Sequence, residues 1–112
     1  MVEKKDVEMG LKIVKERFSD PEVVKSLEGF TKTVLFEFND LSTSYVLRIE
    51  NGQLKELNEE TVENPDVKIT MSSETFVNII NKKTNPIKEY TLGKIKTKGS
   101  MTDLLKLRKL LF

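Results

Sequence analysis

Any chemistry in this chain must come from carboxylates, lysines, arginines and hydroxyls, because its 112 residues include no histidine and no cysteine. That excludes imidazole-based triads, thiol nucleophiles, disulfides and Cys/His zinc or iron–sulfur centres. Glu59-Glu60 is an adjacent acidic pair in an Asn-rich stretch over 58–65. Neighbouring side chains in a loop diverge and no partner is in view, so a solvated loop explains the pair better than an acid/base or metal site. Gly93 and Gly99 bracket a Lys-rich run, but Gly99-Ser100 lacks the lysine a phosphate loop places before its hydroxyl residue. Residue types therefore assign no catalytic residue, no metal ligand and no cofactor.

Charge is balanced overall but unevenly placed. Lys+Arg 19 against Asp+Glu 18 gives a net charge of +1, yet residues 82–112 hold nine Lys/Arg and two Asp/Glu, while residues 1–81 hold ten and sixteen. A basic face of this kind suits an anionic surface or head group; its plain alternative is a solvated strand and helix decorated with lysine. Tyr90 and Phe112 are the only aromatics in the basic segment. With no stacking platform and no binding motif, nucleic acid is not an expected partner.

The elements that must position these groups follow from spacing and punctuation. With 38% hydrophobic and 33% charged residues, the chain reads as one globular domain spanning 1–112. Apolar runs reach only three residues, as in Val34-Leu35-Phe36, so no segment is expected to span a membrane. The charged start, Met1 to Asp6, lacks the apolar core of a secretion signal, which leads to a cytoplasmic expectation. Val7, Leu11, Val14 and Phe18 fall on one helical face, and Asp20-Pro21 restarts a short helix that ends at Gly29. Thr31–Asn39 and Thr43–Glu50 alternate as strands, and Asn51-Gly52 predicts a type I′ hairpin into a weaker strand at 53–57. A strand over 66–71 leads into a helix capped by Ser72 or Ser73. Asn85-Pro86 starts a helical turn ended by Gly93, 94–98 is a short strand, and Ser100 to Asp103 reads as a capping box for a last helix. Helices arriving late around alternating strands predict an α+β sandwich with one helical layer.

The last helix carries more apolar surface than packing on a sheet needs. Met101, Leu104, Leu105, Leu107, Leu110, Leu111 and Phe112 cover roughly 220° at about 100° per residue, against a stripe of about 100° for one-sided packing. The surplus must face another helix, a second subunit or a ligand. Arg108 lies inside this arc. Either its stem packs and its head reaches water, or its guanidinium meets a carboxylate or phosphate at a pocket mouth.

Several segments together resemble the sterol carrier protein-2 lipid-binding family from about Val23 to Leu111. They are Phe36-Glu37-Phe38, the hairpin from Tyr45 to Gly52, Asp66 to Ser72, Glu74-Thr75-Phe76, Asn85-Pro86, and Gly93 to Met101 leading into the Leu-rich helix. The resemblance implies a five-stranded sheet with helices packed on one face and a hydrophobic tunnel between the layers. It also implies binding and transfer of a fatty acid, fatty acyl-coenzyme A, sterol-like molecule or phospholipid, with no covalent chemistry and no enzyme activity. One departure stands out: the glycine often found after the family's pocket helix is replaced here by Asn81-Lys82-Lys83.

Strand parity and helix faces then nominate ligand-binding residues. Phe36, Phe38, Tyr45, Leu47, Ile69 and Met71 share the inward side of their strands, and Phe76, Ile79 and Ile80 share a facing helix side. A small domain also needs these residues as ordinary core. Tyr90, Met101, Leu104, Leu105, Arg108 and Phe112 complete the expected site from the basic segment. The expected partners are a lipid and, transiently, an anionic membrane met through Lys94, Lys96 and Lys98, with the chain a monomer or weak homodimer. The competing reading is a structural or dimerisation module that uses the spare face of the last helix.

Overall fold

Local signals account for most element boundaries in the computed structural model, which describes residues 2–111. The first helix, α1 (Lys4–Arg17), buries Val7, Leu11 and Val14 at the spacing that marks it in sequence. Asp20 then caps α2 (Pro21–Ser26), its Oδ1 accepting the Glu22 N–H at 2.8 Å, with Pro21 in the first turn. Three strands follow: β1 (Lys32–Phe38), β2 (Thr43–Glu50) and β3 (Gln53–Glu59). The β2–β3 turn has both residues at positive φ, Asn51 at 50° and Gly52 at 76°, as a type I′ turn requires. Gly52 also lies under the α2–β1 connection, where a Cβ would come within 2.6 Å of the Leu27 carbonyl oxygen. The chain continues through β4 (Val67–Met71), α3 (Ser73–Ile80), α4 (Pro86–Thr91), β5 (Lys96–Lys98) and α5 (Met101–Leu111).

The strands form one mixed sheet in the order β3-β2-β1-β4-β5. β1 runs parallel to β4, with Val34 opposite Val67 and Phe38 opposite Met71, and every other pairing is antiparallel. Parallel neighbours cannot be joined by a tight turn, so the β2–β3 hairpin and the stretch over 60–66 together form the return from β1 to β4. One face of the sheet meets the helices. There Val34, Phe36, Phe38, Tyr45, Leu47, Ile49, Val67, Ile69 and Met71 share a core with α1, α2, α3 and α5. Gly10 is what lets α1 press on α3, since a Cβ at that position would lie 2.6 Å from Phe76 Cε2.

The opposite face departs from simple alternation. Leu35 and Val46 turn away from the helices yet are buried, at 2% and 0% exposure. They pair with each other, and their further ladder neighbours are Lys68 and Asn58. The same face carries ion pairs of Arg48 with Glu56 and Glu60, at 2.7 and 3.0 Å, and of Lys68 with Glu37, at 3.6 Å. Long charged side chains shelter apolar surface beneath their stems, so this face needs no second helical layer.

Candidate functional site

At the β5 edge the helical layer leaves an apolar hollow. It has a volume of about 180 Å³ and lies between β4, β5, α4 and α5. Ile69 and Thr97, partners across β4 and β5, form its floor together with Ile95. Pro86, Ile87 and Tyr90 of α4 form one wall. Met101, Leu104, Leu105, Leu107, Arg108 and Leu111 of α5 form the other. Thr97, Tyr90 and Arg108 supply the only polar side-chain atoms among these twelve residues. The rim is unusually apolar for a surface: Ile87, Tyr90, Met101 and Leu105 are 56%, 54%, 65% and 55% exposed.

Opposed constraints set the two walls. The α5 wall is held firmly from behind. Ser26 Oγ donates to the Lys106 carbonyl at 3.0 Å, Arg17 Nη1 donates to the Leu110 carbonyl at 2.7 Å, and Lys109 lies 3.3 Å from Glu22. At its start Gly99, at φ 142°, lets the chain turn tightly beside Asp66 and Val67, and Ser100 Oγ accepts the Asp103 N–H at 3.1 Å. Only half of the expected capping box forms, because the Asp103 carboxylate turns instead to Lys32 Nζ of β1, 2.5 Å away. That bond holds the Asp103 carboxyl below the usual aspartate range. Leu107, Leu110 and Leu111 consequently face the core, leaving Met101 and Leu105 for the hollow's rim.

The α4 wall is lightly held. Asn85 Oδ1 caps it by accepting the Lys88 N–H at 2.8 Å, and Gly93, at φ 77°, ends it. Its one buried residue is Glu89, 6% exposed. Glu89 Oε2 has no hydrogen-bond partner among the described residues and lies 3.9 Å from the exposed Lys94 ammonium. A helix whose only buried side chain is a glutamate gains little from apolar burial.

The nominated residues separate into two groups. Ile69, Tyr90, Met101, Leu104, Leu105 and Arg108 converge on the hollow. Phe36, Phe38, Tyr45, Leu47, Met71, Phe76, Ile79 and Ile80 lie away from it in the core, which Ile69 also joins, and Tyr45 lines in addition a groove beside α1. Within the core the Phe76 ring centroid is 5.1 Å from Phe38 and 6.1 Å from Phe36, and Phe38 is 6.0 Å from Tyr45. The Tyr45 hydroxyl donates to Glu8 Oε2 at 3.1 Å, and burial, then this acidic neighbour, push its pKa up. Phe112 lies outside the described residues. Residue-type reasoning passed over Pro86, Ile87, Ile95, Thr97, Leu107 and Leu111 as wall residues. Two signals pointed to some of them: Ile87 precedes Tyr90 by three residues on a helix, and Ile95 and Thr97 alternate with lysines. Lys96 and Lys98 stand on the sheet face turned away from the hollow, opposite Thr70 and Lys68. A larger groove of about 440 Å³ runs between α1 and the β3 edge; Leu11, the nominated Tyr45, Leu54 and Leu57 line it, but so do three lysines and three glutamates, which make it far more polar than the hollow.

Fold and site together define a class, an α+β sheet covered on one face with an apolar hollow beneath its last helix. The model of the SCP-2 sterol transfer family matches residues 11–112, and the chain belongs to that family. No curated protein matches the chain. The sterol carrier protein domain 2 of Helicoverpa armigera is similar at 26% identity and a TM-score of 0.72, covering 93% of this chain and 83% of that one. Palmitated SCP2L2 from Aedes aegypti is similar at 17% identity and a TM-score of 0.70, covering 98% and 95%. A sec-alkylsulfatase from Pseudomonas sp. shares the fold over 79% of this chain, at 22% identity and a TM-score of 0.65. This chain spans only 14% of the sulfatase's length. Among the described residues no helix is long and apolar enough to cross a membrane.

Proposed function

We propose that this protein binds one apolar lipid and transfers it without covalent chemistry, holding the lipid's chain in the hollow between β4, β5, α4 and α5. The observation that carries the reading is the hollow itself, with nine of twelve lining side chains free of polar atoms and a rim that exposes apolar groups. Membership of a sterol transfer family supports lipid transfer, and the palmitated Aedes aegypti neighbour supports a fatty-acyl ligand. At about 180 Å³ the hollow is smaller than the roughly 300–1,000 Å³ usual for drug-sized ligands. Loading therefore requires a wall to yield, and α4 is the wall with less holding it. Each apolar side chain then covered by ligand contributes roughly 1.5–3 kcal/mol, so bound lipid holds α4 down by mass action.

Delivery involves brief contact with an anionic membrane in the cytoplasm, through Lys94, Lys96 and Lys98. The β5 edge would meet the bilayer, with the apolar rim on one side of it and Lys96 and Lys98 on the other, and the contact would weaken with salt. Delipidated protein titrated with a fluorescent fatty acid tests the proposal. Saturable one-site binding to a monomer or weak dimer is expected. No binding, together with a stable dimer built on the exposed Met101 and Leu105, would replace the carrier with a dimerisation module.

A further inference from the structure

α4 is built inside out. Ile87 and Tyr90 of this helix, and Leu92 just beyond it, are each more than half exposed, while its Glu89 is buried. Asn85 is the N-cap, so Thr84 stands one residue before the cap and Glu89 four after it. Those are the two positions where paired apolar side chains commonly staple the start of a helix. Here both are polar, and both fall short of a partner. Thr84 Oγ1 and Glu89 Oε2 are buried with no hydrogen bond among the described residues. The cation that pairs with Glu89 is the exposed Lys94 ammonium, 3.9 Å away. A carboxylate buried on such terms keeps much of its desolvation cost, so α4 sits in this place at a penalty.

The same segment is tied only to itself. Among the described residues, every hydrogen bond and ion pair formed by residues 84–94 closes within that stretch. At its end the Leu92, Gly93 and Lys94 N–H groups donate to the Lys88, Tyr90 and Glu89 carbonyls at 3.0, 3.0 and 2.9 Å. The segment can therefore shift as one body without breaking a bond to the sheet or to another helix. Turns bound it on both sides: Lys82, at φ 59°, finishes α3, and Gly93, at φ 77°, has open space where a Cβ would lie. The facing wall differs on every point. Lys32 of β1, Arg17 of α1 and Ser26 of α2 all bond to α5.

We propose that Glu89 is the positioning residue of an exchange gate: α4 with its flanking turns swings away from α5, and the cost of burying the Glu89 carboxylate keeps that open state within reach. Glu89 then sets how fast a lipid enters and leaves the hollow, without choosing which lipid. This rests on the lipid-carrier reading and deepens it. In the shut state α4 covers Ile69, Ile95 and Thr97, and Glu89 is held out of water. In the open state the carboxylate is hydrated and free to meet Lys94, and the floor is uncovered for exchange. An apolar residue at 89 would staple the helix shut, stabilising the fold while slowing the traffic. Lids of this kind are drawn from the least stable parts of a fold, where opening breaks few contacts.

Stopped-flow fluorescence with dansyl-labelled undecanoate tests this on the delipidated full chain, reading association and dissociation separately. Glu89→Met places an unbranched apolar side chain of similar length in the buried position, and Glu89→Gln removes only the charge. Glu89→Met should raise the melting temperature and slow both rates by a common factor on the order of tenfold, with Kd held within about twofold. Equal slowing is the mark of a gate, because the shut state gains the same amount with and without lipid. Glu89→Gln should act in the same direction and less strongly. A residue that only packs would raise the melting temperature alone, and one that touches the lipid would change Kd. Unchanged rates, or a change confined to dissociation, would therefore overturn the gate and leave the carrier standing. Loss of folding in both variants would overturn it too, by making Glu89 a structural anchor. No binding of the probe by the parent protein would overturn the carrier reading and the gate with it.

Discussion

The two ends of the helical layer are built from the same strand parity and come out differently. Beneath α1 and α3, Phe36, Phe38 and Phe76 close ring against ring, and Gly10 brings α1 near enough to complete the seal. Beneath α4 and α5, Ile69, Ile95 and Thr97 face a hollow. The floors are alike; the covers are not. α3 turns Phe76, Ile79 and Ile80 inward, while α4 buries only a glutamate and leaves Ile87 and Tyr90 more than half exposed along the hollow. An inward-facing strand residue thus becomes sealed core or the floor of a hollow according to the helix above it.

Substitutions at the closed end should cost stability and spare the site. Phe76→Ala removes the ring shared by two aromatic contacts and is expected to lower unfolding free energy by about 3–5 kcal/mol in urea titration. The lipid affinity of the folded protein should then change little. If affinity fell more than stability, Phe76 would belong to the site and the comparison would fail. Gly10→Ala sharpens the point from the other partner. A methyl group 2.6 Å from the Phe76 ring must displace it, at roughly 1–3 kcal/mol by the same measurement.

The open end should behave in reverse. Leu105→Glu, at a position 55% exposed, should leave stability within about 0.5 kcal/mol. It places a charge on an apolar rim and should lower fatty-acid affinity on the order of tenfold. The smallest expected effect concerns how α5 is held. The Asp103 carboxyl lies below its ordinary value chiefly because Lys32 donates to it. A depressed folded-state pKa contributes stability above the unfolded value of about 3.9 and loses it as pH falls through the folded value. Asp103→Asn should therefore be less stable than the parent at neutral pH, with the gap narrowing below about pH 4 in acid-titrated thermal melts.

Much of the architecture was legible in the sequence because its signals are local. Asp20-Pro21, Asn51-Gly52, Ser72, Asn85-Pro86 and Gly99-Ser100 each mark a boundary within a few residues of where it falls, since caps and tight turns depend on adjacent backbone. The parallel pairing of β4 with β1 was not legible. It joins residues more than thirty apart through side chains that any neighbouring strand could have offered. The burial of Leu35 and Val46 was hidden too, because it depends on charged partners brought in from β3 and β4. On α5 the wheel marked surplus apolar surface, and the structure leaves Met101 and Leu105 exposed beside a hollow that Arg108 also lines. Strand parity marked an inward face without saying which part would be filled. That choice rests on a contact between α1 and α3, and on a helix, α4, whose only buried residue is Glu89.

Methyl-resolved NMR tests the central claim most directly. The Ile, Leu, Met and Val methyl signals would be followed while dodecanoate is added to delipidated protein. Large shifts are expected at Ile87, Ile95, Met101, Leu104 and Leu105 around the hollow, with Met71, Ile79 and Ile80 nearly still. Shifts concentrated at Met71, Ile79 and Ile80 would contradict the account, because they would place the ligand in the layer that the phenylalanine rings fill.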